Sequence, residues 1–312
     1  MNSADERLDL AWRVAPATIA FILRVEAASR NTRDIVDGLM FAAIQASNVS
    51  GINADPELQV RYATLMDAPP DELRRPVSVS AIAHSLRMPF ETARRRVQAL
   101  VRIGALTVTP KGVLVSQQAL GSHLFLANVF LRHEVLRDFY FEMKLLGAAP
   151  HGAPGARLAS PEPPVRLTNR LIWEYMLRVA DALGVAVGDA TNGVILLAMI
   201  HRNTAGFGPA EFAAWTQDPV GRGQPVRNGT LAAALNFSTE TLRRHVIALE
   251  AKGYCVRGPR GLLAVEPPAA RLGLERMVLD NLANLQRLFA HLNQFGVCAA
   301  WEQDARPASA TA

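Results

Sequence analysis

Residues 76–115 read PVSVSAIAHSLRMPFETARRRVQALVRIGALTVTPKGVLV, and residues 225–264 read PVRNGTLAAALNFSTETLRRHVIALEAKGYCVRGPRGLLA. The two stretches align without a gap at an offset of 149, and fifteen of the forty pairs are identical. The identities include Glu91-Thr92 with Glu240-Thr241, Arg94-Arg95 with Arg243-Arg244, Gly104 with Gly253, Pro110 with Pro259 and Gly112 with Gly261. The register continues to residue 147 of the first copy. Upstream, DIVDGLMFAAIQASN (34–48) matches DATNGVILLAMIHRN (189–203) at an offset of 155. The change of offset puts a six-residue length difference in the following loop, where it costs little. The chain is an internal duplication. Each copy is expected to hold a leading helix, a second helix, the forty-residue module and a long closing helix.

Within the module, hydrophobic periodicity separates helices from strands. In the first copy, residues 79–86 are predicted as a short helix with Ile82 and Leu86 inward, and Arg87-Met88-Pro89 as the turn. Pro89 suits the first position of the next helix, where its missing N–H costs nothing. Ser238 stands at the same place in the second copy and is a natural helix cap. The second helix, predicted over 90–103, puts Ala93, Val97 and Leu100 on one face and Glu91, Arg94, Arg95, Gln98 and Arg102 on the other. The second copy keeps Leu242, Val246 and Leu249 inside, with Glu240, Arg243, Arg244 and Lys252 outside. Gly104 and Gly253 are expected to end these helices with positive φ. Strands predicted over 105–109 and 254–257 run into Pro110-Lys111-Gly112 and Pro259-Arg260-Gly261, turns with a cation at the tip. Residues 113–115 and 262–264 return as partner strands.

Helix, turn, helix, then a hairpin with a basic tip is the order of a winged helix-turn-helix. The expected fold class is therefore mainly α with small β-wings, two duplicated winged helix-turn-helix units forming a pseudo-twofold arrangement. The first unit spans 1–147 with its module at 76–116. A Pro/Gly linker covers 148–165, where GAAPHGAPGARLASPEPPV carries five prolines and three glycines over 147–165 and excludes a continuing helix. The second unit spans 166–297 with its module at 225–265, and a tail covers 298–312.

The closing helices carry a 4-3-4-3 apolar stripe: Val129, His133, Leu136, Tyr140 and Met143 in the first copy, Val278, Leu282, Leu285, Phe289 and Leu292 in the second. Such a stripe on two long helices is what a helix–helix seam requires. It predicts that the closing helices, with the leading ones, build a core between the units; packing of each helix on its own unit alone is the other outcome. His133, inside that stripe, is expected as a hydrogen-bonded core histidine, with a sensor role as the alternative.

The modules resemble the DNA-binding heads of bacterial transcription regulators. Glu-Thr-x-x-Arg near the start of the second helix, followed by Ala-Leu and Gly, looks like the Crp/Fnr head, over about forty residues of each half. The surrounding helices look more like a MarR-type unit. The resemblance implies that the second helix enters a major groove and the wing touches backbone or minor groove. On that basis Glu91, Thr92, Arg94, Arg95, Gln98 and Arg102, with Glu240, Thr241, Arg243 and Arg244, are candidate DNA-reading residues. Lys111 and Arg260 are candidate phosphate contacts. No ligand barrel precedes either head, so a cyclic-nucleotide sensor is not implied. His245 in place of Arg96, Ile247 in place of Gln98, and Gly229, which weakens the short first helix of the second module, predict an asymmetric or degenerate palindrome.

The bulk numbers are compatible with this. At 312 residues and half hydrophobic, the chain is long enough for two cores. The net charge of +5 allows a polyanionic partner without requiring one. The two cysteines, Cys255 and Cys298, are too few for a metal cage, and Cys255 aligns with Leu106 as a strand residue filling an apolar slot. No HExxH, phosphate loop, dinucleotide fingerprint, nucleophile elbow or Cys/His cluster occurs, so no enzyme activity, metal or cofactor is expected. The acidic start MNSADERLDL is unlike a signal peptide and no apolar run spans a bilayer, so a cytoplasmic location is expected. The expected partners are double-stranded DNA, RNA polymerase, and a second copy of the chain as a homodimer, with no membrane. The expected function is sequence-specific transcription regulation with two recognition helices from one chain. A plasmid-type replication initiator and a winged-helix scaffold for protein partners are the competing classes.

Overall fold

The computed structural model describes residues 3–29, 34–149, 158 and 162–305. Most of the predicted linker lies outside the described residues. The chain is mainly helical, with two small antiparallel sheets of two strands each. The first half runs α1 (Ser3–Ala27), α2 (Ile35–Asn48), α3 (Ser50–Asn53), α4 (Pro56–Arg61), α5 (Val79–Ser85), α6 (Phe90–Arg102), β1 (Leu106–Thr109), β2 (Gly112–Val115), α7 (Gln117–Leu120) and α8 (His123–Leu145). The second runs α9 (Val165–Val187), α10 (Ala190–Asn203), α11 (Pro209–Gln217), α12 (Pro219–Arg222), α13 (Asn228–Leu235), α14 (Thr239–Ala251), β3 (Cys255–Gly258), β4 (Gly261–Ala264), α15 (Arg271–Gln294) and α16 (Val297–Asp304).

Local chemistry starts and stops these elements alike in both halves. Asp34 and Asp189 cap α2 and α10, the first carboxylate accepting the N–H groups of Val36 and Asp37 and the second that of Asn192, a contribution of about 1 kcal/mol per cap. The turn between α5 and α6 passes through Arg87 at φ 50°, and the turn between α13 and α14 through Asn236 at φ 55°. These are the two non-glycine residues with positive φ among the described residues. Gly104 and Gly253 follow α6 and α14 at φ 75° and 76°, as the sequence predicts. Gly112 and Gly261 open the return strands at φ 135° and 144°. There a Cβ would stand 2.7 Å from the Val77 carbonyl oxygen in one half and 2.6 Å from that of Val226 in the other. Only glycine lets the hairpin lie this close to the strand segment before the first helix, to which Val113 and Leu262 are bridged.

Ala93, Val97 and Leu100 are buried against Ile82, Leu86, Leu106 and Val113 in a first-half cluster that also takes Met40 and Ile44 from α2. The second-half equivalents, including Leu242, Val246, Leu249 and Cys255, belong to the large central core. That core is built where α1, α8, α9 and α15 meet. Phe21 of α1 stacks on Phe139 of α8 at 4.2 Å between centroids, Phe289 of α15 reaches Phe139 at 5.9 Å, and Tyr175 of α9 reaches Phe21 at 6.0 Å. All four rings are buried.

The expected core between the halves is present: the closing helices α8 and α15 each pack on the leading helices α1 and α9, and the two stripes meet where Phe289 reaches Tyr140 at 5.5 Å between centroids. Further contact between the halves comes from α1 with α10 and α11 and from α2 with α9. One sequence expectation changes here. The segment from 298, expected as a tail, lies within α16, and Val297, Cys298 and Trp301 are buried. Trp301 packs on Tyr140 and His133 of α8, which fixes this helix to the first half.

Among the described residues, no single helix is long and apolar enough to cross a membrane. The apolar pair α9 and α10 is bent by 95° at its break, and most of its apolar residues are buried in the chain.

Candidate nucleic-acid interface

Helix α6 turns its polar face to solvent, with Glu91, Arg94, Arg95, Gln98 and Arg102 exposed and Thr92 half-buried. On α14, Glu240, Arg243 and Arg244 are exposed and Thr241 is half-buried. Lys111 and Arg260 stand exposed at the hairpin tips. Each candidate cation is thus on the surface, and each helix buries its opposite face.

The acidic residue organises the arginines. Glu91 accepts from Arg94 Nε at 3.0 Å and Nη2 at 2.8 Å. Glu240 accepts from Arg243 Nε at 2.8 Å and Nη2 at 2.9 Å, and Arg244 Nε lies 4.0 Å from the same carboxylate. The hydrogen bond to Arg243 holds the Glu240 carboxyl below its ordinary range, and the one to Glu91 raises the Arg94 guanidinium. The effect is orientational: a fork held along the helix loses less side-chain freedom when it meets a flat hydrogen-bonding edge. Arg95 carries no such restraint among the described residues.

Arg96, the third arginine of the run, faces the other way. Its Nη1 donates to Asp34 Oδ1 at 2.9 Å and to Asp37 Oδ1 at 2.5 Å, joining α6 to the start of α2. In the second half Asp37 is matched by Asn192 and Arg96 by His245, and His245 Nδ1 lies 2.8 Å from Asn192 Oδ1. The substitution at 96/245 therefore changes an internal tether and leaves the exposed face alone. That corrects its use as a sign of operator asymmetry; of the two second-helix substitutions behind the expectation, Gln98/Ile247 alone lies on the exposed face. Lys252 is also tied back, its Nζ donating to the Val187 carbonyl at 2.8 Å.

The modules are held by helices from across the chain. Arg87, in the turn before α6, donates to Asp181 of α9 at 3.0 Å. Reciprocally, Ala234 and Leu235 at the end of α13 and the turn residue Asn236 share a cleft of about 330 Å³ with Leu23, Glu26 and Ala27 at the end of α1. Each half's leading helix thus ends beside the inter-helix turn of the other half's module.

Sequence reasoning missed the arginines of α9. Arg166 donates to the Leu65 carbonyl at 2.7 Å, and Arg170 to those of Tyr62 at 2.5 Å and Gln59 at 2.9 Å, all in the first half. Both are buried. Arg132 of α8 is buried too, with Nε on Asn169 Oδ1 at 2.8 Å. The only signal was their position among apolar neighbours in helical segments. His133 is a buried core histidine: Trp301 Nε1 donates to its Nε2 at 3.4 Å, leaving Nδ1 to donate to Thr168 Oγ1 at 2.9 Å. Burial lowers its pKa to about 4.

Cys255 and Cys298 are both buried free thiols, and burial pushes each up to about 12. Among the described residues no group of three or more His, Cys, Asp or Glu is placed to hold a metal. No protein family, curated protein or solved structure matches the chain.

Proposed function

We propose that the chain binds double-stranded DNA sequence-specifically as a transcription regulator, through two winged helix-turn-helix heads in a pseudo-twofold arrangement. The observation that carries this reading is the recurrence, on α6 and α14, of one exposed Glu-Thr-x-Arg-Arg surface with the same Glu-to-Arg clamp. A major groove admits one α-helix, and an arginine fork pairs bidentately with guanine for roughly 1–3 kcal/mol of discrimination. Lys111 and Arg260 contribute phosphate contacts, which position the head without reading sequence. The covalent link gives the second head a high effective concentration once the first is bound.

The test is selection from random duplexes with the purified chain, followed by titration of the enriched site. Replacing Arg94, Arg95, Arg243 and Arg244 with alanine abolishes specific binding while circular dichroism stays unchanged. Replacing Lys111 and Arg260 weakens all sequences about equally, and the salt slope falls by about one unit per lost phosphate contact. No enriched duplex, or undiminished affinity in the arginine variant, overturns the reading. Footprinting on genomic DNA then separates promoter sites from the repeated origin sites of a replication initiator.

A further inference from the structure

A small cavity of about 20 Å³ lies where α9 of the second half meets α2, the segment before α5 and the start of α8. Its lining includes Gln45 of α2, Arg74 of the segment before α5, and Arg166, Asn169 and Arg170 of α9. Arg74, Arg166 and Arg170 are 4%, 7% and 6% exposed. Among the described residues, eight buried polar side-chain atoms have no hydrogen-bond partner. Three of them, Gln45 Oε1, Arg74 Nε and Arg170 Nε, belong to residues that line this one cavity. An unsatisfied buried donor is costly, most of all on a charged group, so such a concentration asks for an explanation.

The charge is uncompensated as well. Arg74 has one carboxylate beside it, Asp71, which accepts from Nη2, while Nη1 donates to the Val115 carbonyl at 2.6 Å. Arg166 and Arg170 donate to backbone carbonyls instead. The acidic groups nearest them are engaged elsewhere: Asp67 accepts from Thr64 Oγ1 at 2.5 Å, and Glu174 from Asn53 Nδ2 at 2.8 Å. No acidic residue is in the cavity lining. Burial and the neighbouring Arg166 lower the Arg170 guanidinium to about 10, with Glu174 opposing, so it stays charged at neutral pH. Buried charges are paired in folded proteins, and a carbonyl or a water molecule brings no charge to pair with. The cluster is no part of the repeated unit, for Ile200 and Gly223 stand in the second half where Gln45 and Arg74 stand in the first.

We propose that this cavity binds one monatomic anion, chloride, which takes the Nε–H groups of Arg74 and Arg170 and balances the charge that Arg166 adds beside them. Roughly 10–15 Å³ suffices for one water molecule, so the space admits a single small ion and excludes sulfate or phosphate. The Gln45 amide has the same outline either way round and turns its N–H groups to the ion. The ion joins Arg74 of the first half to α9 of the second, and so fastens the halves to each other. The site is built without α6 or α14; it goes beyond the DNA-binding reading and does not depend on it.

The experiment follows urea unfolding of the full chain while sodium chloride replaces sodium gluconate at constant ionic strength, gluconate being too large to enter. A ligand bound by the folded chain alone stabilises it by mass action, so the midpoint rises saturably and the unfolding constant falls about fivefold or more. Sodium bromide gives the same rise. In crystals grown with bromide, anomalous scattering places one ion between Arg74 and Arg170. Gln45→Glu keeps the side chain's shape and brings a carboxylate to the cavity, and its chloride response is at least threefold smaller than that of wild type. Arg74→Gln removes one donor and weakens the response likewise. The response is read within each protein, so a lower stability of either variant does not hide it. No saturable rise with chloride, which means a bound water only, a cavity without bromide, or an undiminished response in a folded variant overturns the proposal.

Discussion

Asn48 and Val115 are joined by a hydrogen bond that recurs, residue for residue, between Asn203 and Ala264: in each the asparagine Oδ1 accepts the strand N–H, at 2.9 and 2.7 Å. The same asparagines donate through Nδ2 to the carbonyls of Val113 and Arg75 in one half and of Leu262 and Gln224 in the other. One buried amide thus ties the last residue of the second helix to both the return strand and the segment before the module. A six-residue loop difference between the copies leaves this clamp intact, so it is the clamp that sets where each hairpin sits.

Replacing either asparagine with alanine leaves buried N–H and C=O groups unanswered. The expected loss is about 1–3 kcal/mol for each clamp, read as a lower urea midpoint with an unchanged m-value. Asn48→Asp keeps the acceptor and loses the donor, and is expected to fall between wild type and Asn48→Ala. Equal stability of all three proteins refutes the role given to the amide.

The tether at Arg96 is a paired substitution between copies, Arg96 with Asp37 against His245 with Asn192. Arg96→His removes a guanidinium from a carboxylate that is 1% exposed, which costs about 3 kcal/mol. Adding Asp37→Asn rebuilds the second-half pair and is expected to restore at least about 1 kcal/mol, a coupling of the size found for residues in contact. A double-mutant cycle by chemical denaturation measures it. Additive losses show that the two positions act independently.

Two buried groups push the pH dependence of stability in opposite directions. Burial lowers His133 from its ordinary 6.5 to about 4, so between these values the unfolded chain holds the extra proton. Its contribution is complete above pH 6.5 and is lost as pH falls toward 4. Burial raises Glu26 from 4.5 to about 7, against the lowering effect of Arg132. Here the folded chain holds the extra proton, and its contribution is lost as pH rises from 4.5 to 7. Between 4.5 and 6.5 the two offset each other. Glu26→Gln is expected to make the slope of stability against pH more positive there, by at most about 1.4 kcal/mol per unit. His133→Gln makes it more negative, and slopes unchanged from wild type in both variants contradict the account.

How far the sequence reaches depends on the range of the interaction. The helix pair, its turn, Gly104, Gly112 and the hairpin were legible because periodicity, caps and positive-φ glycines act within a few residues. Repetition then separated signal from chance: Arg94 and Arg95 gain meaning when Arg243 and Arg244 stand on the same face. What was not legible is set across the chain. Nothing in the sequence near Arg166 and Arg170 marks them out, because the carbonyls they bind, at residues 59–65, lie about a hundred positions away. Residues from 298 read as a tail because nothing local says that Trp301 packs on His133. Arg96 read like its neighbours because its carboxylate partners lie some sixty positions upstream.

The last prediction concerns an exposed position, midway along the polar face, where the two helices differ in kind. Gln98 on α6 corresponds to Ile247 on α14, and that isoleucine is 46% exposed on an otherwise polar face. On the proposed reading, a glutamine pairs bidentately with adenine N6 and N7, whereas an aliphatic side chain packs on the thymine methyl. The selected duplex is therefore expected to be a palindrome broken at one step in each half-site, at the base pair that residue 98 or 247 faces. Ile247→Gln makes the two half-sites alike at that step, and Gln98→Ile makes them alike in the other sense. Each change shifts the preference by about 1–3 kcal/mol, an effect that competitive titration of matched duplexes resolves. Selections from wild type and both variants that return the same sequence remove residues 98 and 247 from the reading face, while leaving DNA binding by the arginines untouched.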